Sequence, residues 1–500
     1  MTESTIKTSG KPNKIVSILL GMLLGGFVWN CRGAGGFGSF WGMTIVGTVI
    51  TLLIFRFYGG RQKLYCELIP VGALLAGMTT PSWGSVNTYM GGLVSSESPL
   101  ASTGEIGAID ISGYRGMLLM FITGFALLAL FSVFVGTLFS ERTYKLYHYV
   151  ILSTVFFAVV YAGRFTFSHN LLSITAPEIC DSFKEGLKSC GLDMSAREGY
   201  MHFYGNIKGI KEIPYGRAYN ECIDHFSYFF ASLAVILTTF AVFRDKIAGF
   251  SGIFINLITA AGFTVSDIFI ISGQKGKFSV LSHINLPAFL KVNDWNLWEY
   301  FTGFFIGLSI MLFIALLPSR LTSPNRSGNT PAFKSNGFGF VYNLVLTFCF
   351  AIYAVPVRAL GMRTGDLLTG TGILAESADD TVLIIVCVLL SCILVPVTAK
   401  ALRKNIFGMG VSFRTAPDTF ASKALPLLML ALFIINMIPA STFAAILSAG
   451  VPLGEALKAH LIARPFTGTF LSRISAIVYL IFFVFGRFLK LCKGDRRKGY

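Results

Sequence analysis

Long apolar runs alternate with short polar segments along most of this chain. A helix needs about twenty mostly apolar residues to cross a bilayer. The pattern therefore predicts an all-α, polytopic integral membrane helical bundle of about 12 transmembrane helices. The third run is the weakest, because it is short and contains Glu67 and Pro70. The runs lie at 15–30, 40–57, 64–80, 116–139, 146–163, 226–243, 248–272, 298–318, 337–356, 381–399, 424–448 and 466–490.

Basic residues indicate on which side of the membrane each connection lies. If both termini are cytoplasmic, the cytoplasmic segments hold 24 Lys and Arg residues and the outer segments hold 16, of which seven lie in one long loop. Long loops have little influence on orientation, so the short connections compare as 24 against 9. We therefore expect cytoplasmic N and C termini in a multi-pass protein of the cell (inner) membrane.

This threading divides the chain into five parts. Residues 1–14 form a cytoplasmic N-terminal tail, and 15–163 contain transmembrane helices 1–5. Residues 164–225 form a long extracytoplasmic loop, and 226–490 contain transmembrane helices 6–12. A basic cytoplasmic tail, 491–500, ends the chain.

Composition narrows the classes of function. Hydrophobic residues make up 54% of the chain and charged residues only 13%, about half the charged share of a soluble globular protein. The net charge of +16 comes from Lys and Arg at the ends of apolar runs, not from a basic stripe that would bind nucleic acid. We expect the lipid bilayer as a partner, no nucleic acid, no metal and no cofactor. The catalytic motifs His-Glu-x-x-His, Gly-x-Ser-x-Gly and Cys-x-x-Cys are absent from the sequence.

Three cysteines occur in the long outer loop, namely Cys180, Cys190 and Cys222. In an oxidising compartment, a Cys180–Cys190 or a Cys190–Cys222 disulfide would be consistent with their spacing. Three free thiols are the remaining alternative. The spacing does not distinguish between the two disulfides and the three free thiols.

Arginine and histidine gather on the predicted outer side. Five of the six histidines lie there, and so do arginines at the outer ends of helices, although basic residues are normally retained inside. Guanidinium groups bind phosphate and carboxylate well, so the set predicts an outward-facing site for an anionic substrate. Arginines that reach lipid headgroups are the alternative interpretation. The arginines assigned to the substrate site are Arg32, Arg115, Arg164, Arg358 and Arg464.

Two further charges fall inside apolar runs. Asp267 lies late in the seventh predicted helix and Arg473 early in the twelfth, both roughly 7–11 Å from the outer boundary. Ionisable groups within the membrane are costly and mark sites or ion paths, so both join the substrate-binding set. A structural ion pair is the alternative. Glu299, which lies beside Trp298, is interpreted as a helix N-terminal acid in the interfacial aromatic belt.

Two functions fit these features. The favoured one is a transporter for a small polar or anionic solute with a site open toward the outer face, because intramembrane charges mark transport paths. The alternative is a membrane-embedded transferase or polymerase acting on a lipid-linked glycan or phospholipid, with an extracytoplasmic active site. In that enzyme His169, His202 or His225 would act as acid or base. The pyrophosphate of the lipid-linked donor would be held by Arg164, Arg197 or Arg217.

Overall fold

Helices form the secondary structure throughout the described part of this computed structural model, and no strand occurs among its described residues. The all-α class predicted from the apolar runs is confirmed. The structure describes residues 13–34, 40–58, 65–77, 89, 109, 111–273, 294–322, 337–354, 389, 393, 397, 417–437 and 470–495. The predicted helix at 381–399 lies almost entirely outside these residues.

We number the helices in chain order within the described ranges. The first six are α1 (Lys14–Ala34), α2 (Phe40–Phe57), α3 (Leu68–Gly77), α4 (Gly113–Ala126), α5 (Ala129–Thr137) and α6 (Leu146–Phe165). The next five are α7 (Phe167–Thr175), α8 (Pro177–Ser189), α9 (Ala196–His202), α10 (Ile207–Glu212) and α11 (Gly216–Ala241). The last six are α12 (Lys246–Gly273), α13 (Asp294–Leu316), α14 (Ser319–Thr322), α15 (Gly337–Ala354), α16 (Pro417–Met437) and α17 (Phe470–Asp495).

Five of these helices are long and apolar enough to cross a membrane within the described residues: α1, α6, α11, α12 and α13. Helices α4 and α5 make a sixth candidate if they are one span, bent by 43° at the break between them. Shorter apolar helices occupy Gly42–Phe57, Leu68–Gly77, Phe420–Phe433 and Leu471–Phe483. The chain thus has the helices of an integral membrane protein, while the count of twelve and the cytoplasmic termini stay predictions.

The long helices pack in a continuous order. Helix α1 packs against α13, α13 against α12, and α12 against both α4 and α5; α11 then lies between α4 and α6. On the other side, α1 contacts α2 and α17, and α2 contacts α3 and α16. The C-terminal ends of α1 and α12 therefore both lie beside the N-terminal part of α13, which determines which polar side chains can meet.

Glycine permits an unusually close approach of α1 and α13. Gly21 and Gly25 on α1 face Gly307 and Gly303 on α13, and a Cβ atom at any of the four would collide with the backbone of the partner. Small residues spaced four apart are a common way to bring membrane helices into backbone contact. The two helices are antiparallel, so this contact sets the relative depth of all their other side chains.

Asp245 fixes the end of the molecule opposite to the long loop. Its carboxylate accepts hydrogen bonds from the hydroxyls of Ser140 and Tyr144, the latter at 2.9 Å. It also accepts the backbone N–H groups of Ile247 and Ala248 at 2.9 and 3.1 Å. These last two bonds cap the N-terminus of α12, where a carboxylate also complements the helix dipole.

The predicted outer loop 164–225 is helical in the structure. Helix α8 begins with Pro177, whose missing N–H costs nothing at a first helical position, and α9 begins with a capping box between Ser195 and Glu198. Helix α11 begins at Gly216, ten residues before the predicted start at 226. Its first turns are amphipathic, with buried side chains such as Ile223 alternating with polar ones, so hydropathy alone does not mark them as part of the span.

Candidate functional site

The short helices α7 to α10 pack around the first half of α11 and position His169, one of the candidate acid–base residues. His169 is buried, with Nδ1 3.0 Å from the Tyr219 hydroxyl and Nε2 2.7 Å from the carbonyl oxygen of Arg164. A carbonyl oxygen only accepts, so Nε2 donates and Nδ1 accepts, which selects the neutral tautomer. Burial lowers the pKa of His169; the bond to the Arg164 carbonyl opposes this shift, and nearby Arg197 adds to it.

The other two candidate histidines have different surroundings. His225 on α11 is buried, and its Nδ1 lies 2.9 Å from the Tyr89 hydroxyl and 3.2 Å from the Thr123 hydroxyl. His202 is exposed at the end of α9, where its ring contacts that of Phe203. The structure gives the three histidines separate partners, so it does not assemble them into one catalytic group.

The outer arginines Arg115 and Arg164 each engage a carboxylate. Both terminal nitrogens of Arg115 donate to the Glu178 carboxylate, one of them at 3.0 Å, which ties α4 to α8. Arg164 Nε donates to Asp224 at 2.6 Å, and its Nη2 donates to the Tyr228 hydroxyl at 2.9 Å, which ties α6 to α11. These guanidinium groups stabilise contacts between helices.

The remaining arginines of this region also have protein partners. Arg197 Nη2 donates to the carbonyl oxygen of Phe165 at 2.9 Å, and Arg217 Nε donates to Glu221 at 2.9 Å within α11. An anion at this surface would have to compete with the carboxylates of Glu178, Asp224 and Glu221 for those arginines. Substrate binding by Arg115 and Arg164 stays a prediction.

A second polar cluster lies where α1 meets α13. The Arg32 side chain is only 7% exposed, and its guanidinium lies 4.5 Å from the centre of the Trp29 ring. Its Nη1 lies 4.0 Å from Glu299 Oε2, a distance that permits electrostatic attraction but not a hydrogen bond. Among the described residues, Arg32 Nε and Glu299 Oε2 have no hydrogen-bond partner. The ion pair therefore leaves one buried donor and one buried acceptor unsatisfied.

Asp267 lies at the neighbouring contact between α12 and α13. Its side chain is fully buried, and Oδ1 accepts the indole N–H of Trp298 at 2.5 Å. Its second oxygen, Oδ2, has no hydrogen-bond partner within the described ranges. A buried carboxylate with a single neutral donor is energetically unfavourable when charged, particularly in a helix long and apolar enough to cross a membrane.

Arg473 does not join Asp267. It is buried on α17, which packs against α1 and α16, and the structure records no ion pair between the two side chains, both of which it describes. Asp267 and Arg473 therefore do not meet, although a similar depth was predicted for both, because α17 packs mainly against α1 and α16. Two other predicted substrate residues, Arg358 and Arg464, lie outside the described residues.

The contacts of Glu299 and Trp298 were not predicted from the sequence. Both were interpreted as ordinary features of a helix start, whereas Glu299 lies beside Arg32 and Trp298 donates to Asp267. One signal was present in the sequence: Arg32 and Glu299 have opposite charge and lie at the same predicted face, each within a few residues of a span end. To predict this pair, one would have had to know that α1 and α13 are neighbours.

The cysteines of the outer region are free thiols in the structure. Cys180 is half-buried on α8, Cys190 is exposed at the end of that helix, and Cys222 is buried on α11. Burial raises the pKa of the Cys180 thiol to about 12, and the neighbouring Asp181 adds to the shift. Of the three alternatives left open by the spacing, the structure contains the one without a disulfide. Within the described residues, no group of three His, Cys, Asp or Glu side chains is placed to hold a metal ion.

Comparison with known proteins gives no relative: no protein-family model, curated protein or solved structure matches this chain. The function must therefore be inferred from the polar cluster around His169, the polar cluster where α13 meets α1 and α12, and the apolar helices that contain them.

Proposed function

We propose that this chain is a multi-pass transporter of the cell membrane for a small polar or anionic solute, with twelve spans, cytoplasmic termini and a site open toward the outer face. One observation carries the proposal: α1, α12 and α13 bury Arg32 and Asp267 and partly bury Glu299, and they leave polar atoms of all three without hydrogen bonds in the described structure. Groups of this kind are costly in a membrane and are typical of substrate and ion paths.

The Arg32–Glu299 pair is suited to a small solute. Its 4.0 Å separation leaves both the guanidinium Nε and the carboxylate Oε2 available for hydrogen bonds. A solute with an anionic or hydrogen-bond-accepting group would bind Arg32, and a donor group on the same solute would bind Glu299. The Trp29 ring beside Arg32 adds an apolar and polarisable wall.

The alternative, a transferase that uses a lipid-linked donor, receives less support from the geometry. His169 and His225 are buried and hydrogen-bonded to protein groups, and the arginines nearest to them engage carboxylates or backbone carbonyls. An acid or base for catalysis must reach its substrate directly or through one water. Of the three histidines, His202 is the exposed one.

Solute flux in reconstituted vesicles tests the transporter. The full chain would be reconstituted and offered a panel of radiolabelled solutes, comprising inorganic phosphate, dicarboxylates, amino acids and nucleosides, under imposed pH and ion gradients. We expect gradient-dependent accumulation of at least one class, and its loss in Arg32→Gln.

Arg217→Gln is the matched control, because it removes an arginine that lies on the outer part of α11 and is paired with Glu221. We expect it to retain flux. Flux no greater than in protein-free vesicles for every solute class would contradict the proposal. Equal flux in the two variants would exclude Arg32 from the site.

A further inference from the structure

The contact between α12 and α13 contains a row of polar side chains. On α13, Trp298, Thr302, Phe305 and Ser309 are spaced so that they lie on one face. Three of them contact α12 directly: Trp298 bonds Asp267, Phe305 packs at Gly262, and Ser309 Oγ lies 3.1 Å from the Thr259 hydroxyl. Thr302 lies between them and therefore faces the same contact.

Polar atoms of three buried side chains in or beside this row lack a hydrogen-bond partner in the described structure. These atoms are Asp267 Oδ2, Thr302 Oγ1 and both polar atoms of the Asn256 amide. Asp267 and Asn256 are fully buried and Thr302 is 1% exposed. Asn256 and Asp267 are eleven residues apart, which is three helical turns, so they lie on the same side of α12 about 16 Å apart along its axis.

Asp267 differs from the buried carboxylate at the other end of its own helix. Asp245, at the opposite end of α12, has four hydrogen-bond donors, whereas Asp267 has one. Unpartnered polar atoms in an apolar contact are destabilising, by roughly 1–3 kcal/mol each. Three such side chains on one contact therefore indicate a function for the row, since packing alone would favour apolar side chains there.

We propose that Asp267 is the proton-binding group of the transporter, and that the row formed by Asp267, Thr302, Ser309, Thr259 and Asn256 is the path of the proton between α12 and α13. The proposal rests on the proposed transport function and names its coupling ion. One proton adds to the Asp267 carboxylate, forming an O–H bond at Oδ2, and the same bond breaks on release toward the hydroxyl and amide groups deeper in the row.

The charge of Asp267 and the narrow space between α12 and α13 favour binding of a proton over binding of a solute. Asp267 receives a single neutral donor, so protonation removes the cost of a buried charge. The contact is also too tight for a solute, because a Cβ atom at Gly262 would already collide with the Phe305 ring. A proton needs no such space.

Several ionisable groups described on the helices packed against α12 have other partners. Helix α5 contains none in its sequence. On α13, Glu299 lies beside Arg32, and Tyr300 hydrogen-bonds Ser475. On α4, Arg115 bonds Glu178. On α11 the pairs are Arg217 with Glu221, Asp224 and Tyr228 with Arg164, His225 with Tyr89, and Tyr219 with His169.

Infrared difference spectroscopy tests proton binding without knowledge of the solute. Films of the full chain in lipid would be cycled between acidic and alkaline buffer, and the carbonyl stretch of protonated carboxyl groups recorded in H2O and D2O. We expect a deuterium-sensitive carbonyl band, with the intensity of one carboxyl group lost in Asp267→Asn. The amide of this variant still accepts the bond from Trp298, so the contact between the helices is preserved.

Glu198→Gln is the control variant, because Glu198 is an exposed carboxylate whose capping role a glutamine also performs. We expect it to retain the full band. An unchanged band in Asp267→Asn, or the absence of such a band in the unmodified chain, would overturn the proposal.

Measurements of solute flux distinguish the proton site at Asp267 from the proposed transport function. If a solute is accumulated, we expect Asp267→Asn to lose accumulation driven by a pH gradient and Glu198→Gln to keep it. Accumulation driven equally by a sodium gradient at constant pH would overturn the proton assignment and leave transport standing. Loss of the carbonyl band in Asp267→Asn without any solute flux in the unmodified chain would support the proton site and count against transport.

Discussion

The ion pair between Arg164 and Asp224 joins the end of α6 to α11 and can be measured by a double-mutant cycle. Arg164 Nε lies 2.6 Å from Asp224 Oδ1, and the two side chains are only 22% and 20% exposed. The cycle compares Arg164→Met, Asp224→Asn and the double variant. Each single change leaves the partner partly buried without its charge complement, so each should cost more than the pair contributes when both are replaced.

The size of the coupling follows from the geometry. Two unit charges about 4 Å apart attract by about 4 kcal/mol at an effective dielectric constant of about 20. Desolvation of the two partly buried groups offsets part of this attraction. Coupling between contacting charged residues is therefore expected at about 1–3 kcal/mol, which corresponds to roughly a 5- to 150-fold change in the unfolding equilibrium.

Reversible unfolding in mixed micelles with increasing SDS, followed by circular dichroism, gives the four free energies of the cycle. The pair Arg217 and Glu221 is the matched control, because it has a similar distance of 2.9 Å but lies within one helix. Pairs of this type contribute about 0.3–0.5 kcal/mol. The two pairs are similarly buried, so a coupling for Arg164 and Asp224 no larger than that of the control would refute the argument that a link between two helices strengthens this pair.

Three other predictions concern accessibility, pH and packing. A membrane-impermeant maleimide added outside intact cells should label the exposed Cys190 and leave the buried Cys222 unmodified; labelling of Cys190 only after cell lysis would contradict the outer location of this region. The pKa of His169 is lowered by burial, so protonation favours the unfolded state. Stability of the outer helices should therefore be full above about pH 6.5 and decrease as the pH falls below that value, seen as faster hydrogen exchange; equal exchange at pH 5 and pH 7.5 would contradict this. Replacing Gly303 by Ala forces a Cβ atom against the carbonyl of Gly25 and should destabilise the chain by about 1–3 kcal/mol in the same SDS titration; unchanged stability would contradict the close approach.

Hydropathy predicted the positions of most helices but not their interruptions. The run at 116–139 was expected to be one span, and the structure divides it into α4 and α5 with a 43° bend. Neither Leu127 nor Leu128 at the break is a helix breaker, and Ala129 adopts a positive φ of 23°. No proline or glycine occurs from Phe125 to Ala129, so the usual sequence signals of a kink are absent at the break.

The candidate site, like the helix boundaries, was predicted only in part. Asp267 was identified because an ionisable residue inside an apolar run is detectable from sequence alone. The alternative of an ion pair between Asp267 and Arg473 does not occur in the structure, where Trp298 is the partner of Asp267. Positions can be counted along a helix from sequence, whereas the neighbours of that helix cannot.

The glycine contact between α1 and α13 has a consequence for movement. Where backbone meets backbone at Gly25 and Gly303, neither helix can rotate or slide without a steric collision, so the two move as a single rigid rod pair. In the transporter proposed above, an opening toward either side of the membrane would then occur at a contact made by side chains. The polar row between α12 and α13 is such a contact, and it would act as the joint about which the rigid pair tilts.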